Sequence, residues 1–248
     1  MVELGMDEKE KGLKLIRKAL AEGRKFLLEH EAKTLCQTFG IPTTRFKLAR
    51  NSFEAVKYAE EIGFPVVLKI VSPNIIHKSD VGGVSLNLKS GSEVKEACLK
   101  IVEETKKHKP NLKIYGFLVE EMVKPSTEVI VGLIRDKQFG PTVMFGLGGV
   151  FVEILKDVSF RVCPITKTDA EEMIREIKGY QLLKGYRNLP PANLKTLTNI
   201  ILNTCKIGET YPEIKEIDLN PILVYGEDAK AVDVRIILEN SKPPKGSC

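Results

Sequence analysis

Lys69-Ile-Val-Ser-Pro-Asn-Ile-Ile-His77-Lys78-Ser79-Asp80-Val-Gly82-Gly83-Val-Ser-Leu-Asn-Leu-Lys89 is the stretch that decides how this chain is read. Its first residues end an apolar run, Pro65 to Val71, that carries one lysine and reads as a buried strand. Val84, Leu86 and Leu88 then alternate with Ser85, Asn87 and Lys89, the period of a half-buried strand. Between them lies a turn-rich loop with Pro73, a charged cluster, a glycine pair and one histidine. A strand, loop and strand of this kind can lay the Lys69 ammonium and the N–H groups of Gly82 and Gly83 over phosphate oxygens. In that loop the imidazole of His77 is a competent nucleophile toward phosphorus near neutral pH. The plainer readings are a solvated loop histidine and a lysine snorkelling from a strand end.

Outward from this stretch, 248 residues of which 43% are hydrophobic can bury a core in one large domain or two lobes. Lys and Arg number 38 against 33 Asp and Glu, a net +5 without a basic block, which argues against a nucleic-acid partner. The five cysteines (36, 98, 163, 205, 248) show no CxxC and no paired spacing. Cys36 and Cys98 fall on apolar helical faces, so a reduced, cytoplasmic protein is expected. The N-terminus is charged and no apolar run approaches about 18 residues, so neither a signal peptide nor a membrane association is expected.

The pattern predicts a helical extension over 1–23 and a second helix from about Arg24, with Leu28, Ala32, Leu35 and Phe39 on one face. Thr44 to Ala49 reads as extended, and Asn51 or Ser52 caps a helix to Ile62. Ser90 or Ser92 opens another, with Val94, Ala97, Cys98, Ile101, Val102 and Thr105 at helical spacing. Leu112 to Val123 is an expected strand running into a polar hinge at Glu120-Glu121-Met122-Val123-Lys124-Pro125. Strands follow at Glu128–Arg135, Thr142–Phe145 and Phe151–Leu155. Thr168 to Glu171 reads as a capping box for a helix ending near Gly185, and Pro190-Pro191 as the start of the next, to about Cys205. Glu216–Tyr225 and Lys230–Leu238 form a hairpin, with a disordered tail after it. The division expected is an extension (1–23), a helix packed on the C-terminal lobe (24–44), an N-terminal lobe (45–120), a C-terminal lobe (121–240) and a tail (241–248). The class is α+β, with a cleft between two β-containing lobes.

Asp218 and Asn220 are two apart and share a strand face. A turn centred on Gly226-Glu227 sets Tyr225 against Asp228, and counting back sets Asn220 against Asp233. Two carboxylates and an amide oxygen on one face suit Mg²⁺, whose other ligands are waters and substrate phosphates. Pro221 donates no ladder bond, a break of pattern that fits a site. Glu120, Glu121 and Val123 offer a base the polar groups of a hinge, and Glu128 can hold ribose hydroxyls; a solvated hairpin and a polar linker are the alternatives. Neither G-x-x-x-x-G-K-[ST] nor a full G-x-G-x-x-G is present, and Gly148-Gly149 reads as a tight bend. His30 and His108 sit among charges and read as solvated.

Six segments in fixed order carry a resemblance: Pro65-Val-Val-Leu-Lys-Ile70, His77-Lys-Ser-Asp-Val-Gly-Gly-Val84, Val119-Glu-Glu-Met-Val123, Glu128 to Asp136, Phe145-Gly-Leu-Gly-Gly-Val-Phe-Val-Glu153 and Asp218-Leu-Asn-Pro-Ile-Leu-Val224. Over residues 24–238 the chain resembles the ATP-grasp beta subunits of ADP-forming acyl-CoA synthetases, and more distantly those of succinyl-CoA synthetase. The resemblance implies an ATP-grasp fold with ADP or ATP in the cleft between two lobes. Lys69 would contact phosphates, Glu120 to Val123 the adenine and Glu128 the ribose. Asn220 and Asp233 would hold Mg²⁺ with Asp218 nearby, and His77 would be a transient phosphohistidine. It further implies a CoA-binding alpha subunit in an α2β2 heterotetramer, and the reaction acetyl-CoA + ADP + phosphate ⇌ acetate + CoA + ATP. The chain shows no CoA-binding motif of its own and reads as half an enzyme. Its rivals are a carboxylate ligase that uses no phosphohistidine and a nucleotide-sensing subunit without catalysis.

Overall fold

The computed structural model describes residues 6–75, 77–149, 157–185, 190–226 and 228–239. Two compact units emerge, one from Thr44–Lys124 and the other from the flanking segments Met1–Thr43 and Pro125–Cys248.

The smaller unit holds β1 (Phe46–Ala49), α3 (Ser52–Ile62), β2 (Val66–Val71), β3 (Val84–Leu88), α4 (Gly91–His108) and β4 (Gly116–Glu121). Its sheet runs β1-β4-β2-β3, with every neighbouring pair antiparallel. The side chains of Asn51 and Ser90 accept from the N–H groups of Glu54 and Glu93, which starts α3 and α4 where capping chemistry expects them. Ala55, Ala59, Val94, Ala97, Cys98 and Ile101 of the helices pack with Val66, Leu68, Ile70, Phe117 and Val119. One pattern reading fails: Leu86 is 61% exposed. Val66 pairs with Leu88 but Leu68 with Ser85, so β3 carries one extra residue, and Asn87 takes a left-handed φ of 58°. That bulge breaks the alternation and turns Leu86 outward.

The larger unit begins with α1 (Met6–Ala21) and α2 (Glu29–Thr38). Helix α2 starts at Glu29, later than the expected Arg24. Leu27 N–H donates to the Ile236 carbonyl and Leu238 N–H to that of Lys25, which holds 25–27 extended. Arg24 turns inward to clasp Glu31 through Nη1 (2.7 Å) and Nη2 (3.0 Å). The unit continues with β5 (Thr127–Asp136), β6 (Gly140–Leu147), β7 (Val158–Val162), α5 (Lys167–Glu176), α6 (Tyr180–Leu183), α7 (Leu194–Thr210), β8 (Ile214–Tyr225), β9 (Asp228–Ala231) and β10 (Val234–Leu238). Its sheet runs β10-β8-β5-β6-β7, with β9 also on β8. Val129, Val131, Leu133, Val143, Phe145, Leu219, Ile222 and Ile236 meet Ala32, Leu35, Met173, Ile174, Leu197 and Ile201 of the helices in one core.

Several boundaries differ from the sequence reading, each for a local reason. The expected strand at 151–155 and the tail at 241–248 lie outside the described residues. The capping box is Thr166 with Asp169, two residues before the expected pair. The helix after it breaks at Glu176 because the Asp157 carboxylate takes the N–H groups of Lys178 and Gly179, both at 2.7 Å. Helix α7 starts past the proline pair, where Asn193 caps it, and runs on to Thr210. Arg135 of β5 covers the end of this helix and the start of β8: Nη2 donates to the Gly208 and Tyr211 (3.1 Å) carbonyls and Nε to that of Ile214 (2.9 Å).

The all-reduced expectation is corrected by a disulfide between Cys163 and Cys205, whose Cα atoms are 5.8 Å apart. Neither spacing nor motif betrays it, because β7 and α7 bring the pair together only in the fold. Burial pushes the Cys36 thiol up to about 12 and that of Cys98 to about 11, so both free thiols are inert packing groups.

The bridge closes a separation of 42 residues, and loop-closure entropy sets its contribution at about 4 kcal/mol. Denaturant unfolding of Cys205→Ser is expected to show a loss of that order, and the wild-type chain in strong reductant a similar one. Coincident curves for oxidised and reduced protein would mean that the bond contributes nothing.

Candidate functional site

In the smaller unit, strand β2 must bury a cation. Lys69 is 7% exposed, and its Nζ lies 3.4 Å from Oε2 of Glu120, itself 1% exposed. Val67 pairs with Glu120 and Lys69 with Leu118, so the two charges sit diagonally across β2 and β4 on one sheet face. Thr44 Oγ1 donates to the same Glu120 oxygen at 3.2 Å. A buried lysine is tolerated when its charge is met, and Glu120 meets it. The sequence reading gave Glu120 a backbone role toward a base; the structure gives its carboxylate the task of holding Lys69.

Glu121 is engaged as well. Its carboxylate accepts from the N–H and Nε of Arg45 at 2.9 and 2.8 Å, and its own N–H donates to the Arg45 carbonyl. Met122 N–H goes to the Pro65 carbonyl. Among the described residues nothing takes the Val123 N–H, which leaves it as the donor of this stretch available to a base edge.

His77 is exposed in the connection between β2 and β3. The connection is fixed on both sides of it. Upstream, Ile75 is buried in the core of the unit, and the Asn74 carbonyl and side-chain oxygens accept from Lys109 Nζ (2.7 Å) and Lys113 N–H (3.2 Å). Downstream, the Lys78 carbonyl accepts from Val81 and Gly83, and Gly82, at φ 68°, closes the turn of Ser79–Val81. Gly82 N–H donates to the Ser79 carbonyl, so both glycine donors are used inside the loop instead of facing an anion. Gly83 is needed for space: a Cβ there would stand 2.7 Å from Ile70 Cγ2 and 2.9 Å from the Lys78 oxygen. The other two histidines differ. His108 ends α4 exposed, whereas His30, read from sequence as solvated, is largely buried and desolvation lowers its pKa.

In the larger unit, β8 carries the acidic constellation. The expected register is present: Tyr225 pairs with Asp228, Ile222 with Ala231 and Val234 with Leu219, so one count runs through both neighbouring strands. Asn220 N–H donates to the Asp233 carbonyl at 3.2 Å. On the other side of β8, Val129 pairs with Ile222 but Val131 with Leu219, which puts a bulge at Asn220-Pro221. A bulge re-aims side chains, and here it falls on the candidate ligand. Glu128, Asp218 and Asn220 share the sheet face opposite the core. Glu128 lies against Gly148-Gly149: the Gly148 N–H donates to its carbonyl at 2.7 Å, and a Cβ on Gly149 would reach within 3.3 Å of its Oε2.

Asp218 departs from the expected trio. Its Oδ2 is 3.2 Å from Nη2 of Arg235, which also binds Glu216 Oε1 at 2.9 Å. Among the described residues no group of three or more His, Cys, Asp or Glu is arranged to hold a metal. Asn220 and Asp233, both exposed, still fit Mg²⁺, which binds through one or two protein oxygens with waters and phosphates completing its octahedron. Arg235 escaped the sequence reading, although Asp233-Val-Arg235 puts it one step along the same strand face.

Comparison with known proteins bears on this geometry. Residues 18–238 match the model of the ATP-grasp domain. The chain is 54% identical to "Acetate--CoA ligase [ADP-forming] I subunit beta" of Pyrococcus furiosus, over 94% of this chain and all of that one. It belongs to the ATP-grasp family, among the beta subunits of ADP-forming acetate–CoA ligases. "Acetate--CoA ligase [ADP-forming] I" of Archaeoglobus fulgidus, 43% identical over 93% of this chain, is longer, and the match covers 33% of it. Two structures of Ca. Korarchaeum cryptofilum dinucleotide-forming acetyl-coenzyme A synthetase 1 are also similar, each matching 92% of this chain and the whole of theirs at 50% identity. One, with TM-score 0.87, holds coenzyme A, acetyl-coenzyme A and a phosphorylated phosphohistidine segment. The other, with TM-score 0.82, holds coenzyme A and Mg-AMPPCP, with its phosphohistidine segment pointing towards the nucleotide-binding site. No described helix is long and apolar enough to cross a membrane.

The Lys69–Glu120 pair makes a direct prediction. Lys69→Met leaves Glu120 buried without its cation and is expected to lower the unfolding free energy by roughly 3–5 kcal/mol. Adding Glu120→Leu to that variant recovers part of the loss. Urea titrations of the two single variants and the double close the cycle, and strictly additive losses would mean that the two charges do not interact.

Proposed function

We propose that this ligase subunit moves a phosphoryl group on His77 between a CoA-binding alpha partner and ADP held by its own ATP-grasp units. The net reaction is acetyl-CoA + ADP + phosphate ⇌ acetate + CoA + ATP, in an α2β2 assembly. The observation that carries the proposal is an exposed histidine on a connection anchored at both ends, in a chain whose relatives hold a phosphohistidine segment. Separate subunits in one relative and a longer single chain in another support a partner that supplies the acyl chemistry.

In this reading Lys69, kept in place by Glu120, meets the nucleotide phosphates. Val123 N–H meets the base and Glu128 the ribose. Asn220 and Asp233 would hold Mg²⁺, which supplies charge neutralisation for the β- and γ-phosphate oxygens. Phosphoryl transfer asks for positioning and positive charge more than for acid–base groups, and these residues provide that. The histidine adds a covalent store that lets two separated sites share one phosphoryl group.

His77→Ala is expected to abolish ATP formation by the reconstituted enzyme and to leave ADP affinity and thermal midpoint unchanged. Wild-type chain incubated with labelled phosphate, acetyl-CoA and the partner should acquire an acid-labile, base-stable label that the variant lacks. An unlabelled wild type, or an alanine variant that still makes ATP, ends the relay. Asp233→Asn is expected to weaken ADP binding in Mg²⁺ but not in chelator; calorimetric titration separates the two conditions.

A further inference from the structure

We propose that Arg235 is a further catalytic residue of the phosphoryl transfer, gripping the phosphoryl oxygens as they pass between His77 and ADP; this inference rests on the relay reading of His77. Three observations carry it. First, Arg235 sits on the sheet face that bears Asp218 and Asn220: it pairs with Asp218 across β10 and β8, two residues beyond Asp233. A guanidinium there shares its sheet face with Asn220 and lies two residues from Asp233, the two residues proposed for the metal.

Second, among the described residues the guanidinium is held by one nitrogen. Nη2 alone takes both carboxylates, Glu216 Oε1 at 2.9 Å and Asp218 Oδ2 at 3.2 Å. Two acceptors on a single nitrogen fix the plane of the guanidinium and leave the Nε–H, on the side of the group that Nη2 also serves, as a separate single donor. Third, Nε is buried and has no hydrogen-bond partner among the described residues. Buried donors are nearly always satisfied, and an exception calls for a reason. An anion that arrives only during turnover is such a reason, and a charged N–H donor of fixed orientation suits a phosphoryl oxygen. The same facts reassign Asp218 from metal ligand to the residue that, with Glu216, orients Arg235.

The step balances without any change in Arg235. The P–N bond to His77 breaks with its electron pair left on the imidazole, which takes one proton from solvent. A P–O bond forms to the terminal phosphate oxygen of ADP, giving ATP. Arg235 stays a cation throughout and stabilises the charge spread over the three equatorial oxygens.

The reverse half-reaction tests this on the full chain alone, with γ-labelled ATP and Mg²⁺ and the initial rate of acid-labile labelling as readout. Removing one preorganised donor from a developing charge costs roughly a hundredfold or more in rate. Arg235→Ala is therefore expected to label about that much more slowly while its Mg–ADP affinity changes by less than about threefold. Added ethylguanidinium should restore part of the rate, which repair of a merely structural defect would not do. Arg235→Lys, which keeps the charge and the fold but not the Nε–H donor, should also be slow. The Nε–H proton resonance of wild-type Arg235 should shift when Mg²⁺ and a non-hydrolysable ATP analogue are added. Wild-type labelling with an equally fast Arg235→Ala leaves the relay standing and overturns the Arg235 assignment. Loss of labelling matched by an equal loss of Mg–ADP affinity overturns it too, by making the residue a ground-state binder. A wild-type chain that takes no label from ATP overturns the relay, and this inference with it.

Discussion

Strand β8 is the constraint on which the larger unit depends. Twelve residues long, it pairs with β5 on one side and with β9 and then β10 on the other. Because side chains alternate along a strand, this one register decides which face every group takes. Ile217, Leu219, Ile222 and Val224 go to the core. Glu216, Asp218 and Asn220 go to the opposite face, where Glu128 and Arg235 join them from the neighbouring strands. A slip of one residue would bury three polar side chains and expose the core, so apolar burial itself holds the polar face in position. The register departs from this near the start of β8, between Ile237 and Leu238 of its neighbour, and at the bulge at Asn220-Pro221, which lies where the alternation would otherwise be a constraint on ligand geometry.

The smaller unit solves a different problem. It must keep a cation inside a sheet, and it does so with a diagonal carboxylate that also accepts from Thr44. The arrangement has a cost in desolvation that a pair of apolar residues would avoid. A lysine retained under those terms is more readily explained by a task than by stability.

Much of this was legible in the sequence where one local signal decided the outcome. Asn51 and Ser90 cap their helices because their side-chain oxygens reach N–H groups three residues on, which any chain would exploit. The pairing of Asn220 with Asp233 followed from counting back from a two-residue turn, and the resemblance gave the family. What the sequence hid was long-range. The partner of Lys69 is 51 positions away on β4. Leu86 faces outward because a single extra residue in β3 reverses the alternation, and nothing in an alternating pattern announces a bulge. Asp157 breaks a helix that begins ten residues after it, and the Arg235 fork is aimed by two residues of another strand. Gly82 and Gly83 looked like anion donors in a loop, and only the loop's own hydrogen bonds show that its turn consumes them.

The bond between Cys163 and Cys205 makes part of the polypeptide a closed ring. That ring contains all of α5 and α6 and most of α7, the helices that cover one side of the larger sheet. A protease that cuts the backbone anywhere inside it produces no separate fragment, since both ends stay tied through sulfur. Such a nick would pass unnoticed on a gel run without reductant and appear as two pieces on a gel run with it. The cover of this sheet is thus fastened twice, by apolar contact and by covalent topology, and only the second fastening answers to the redox state of its surroundings.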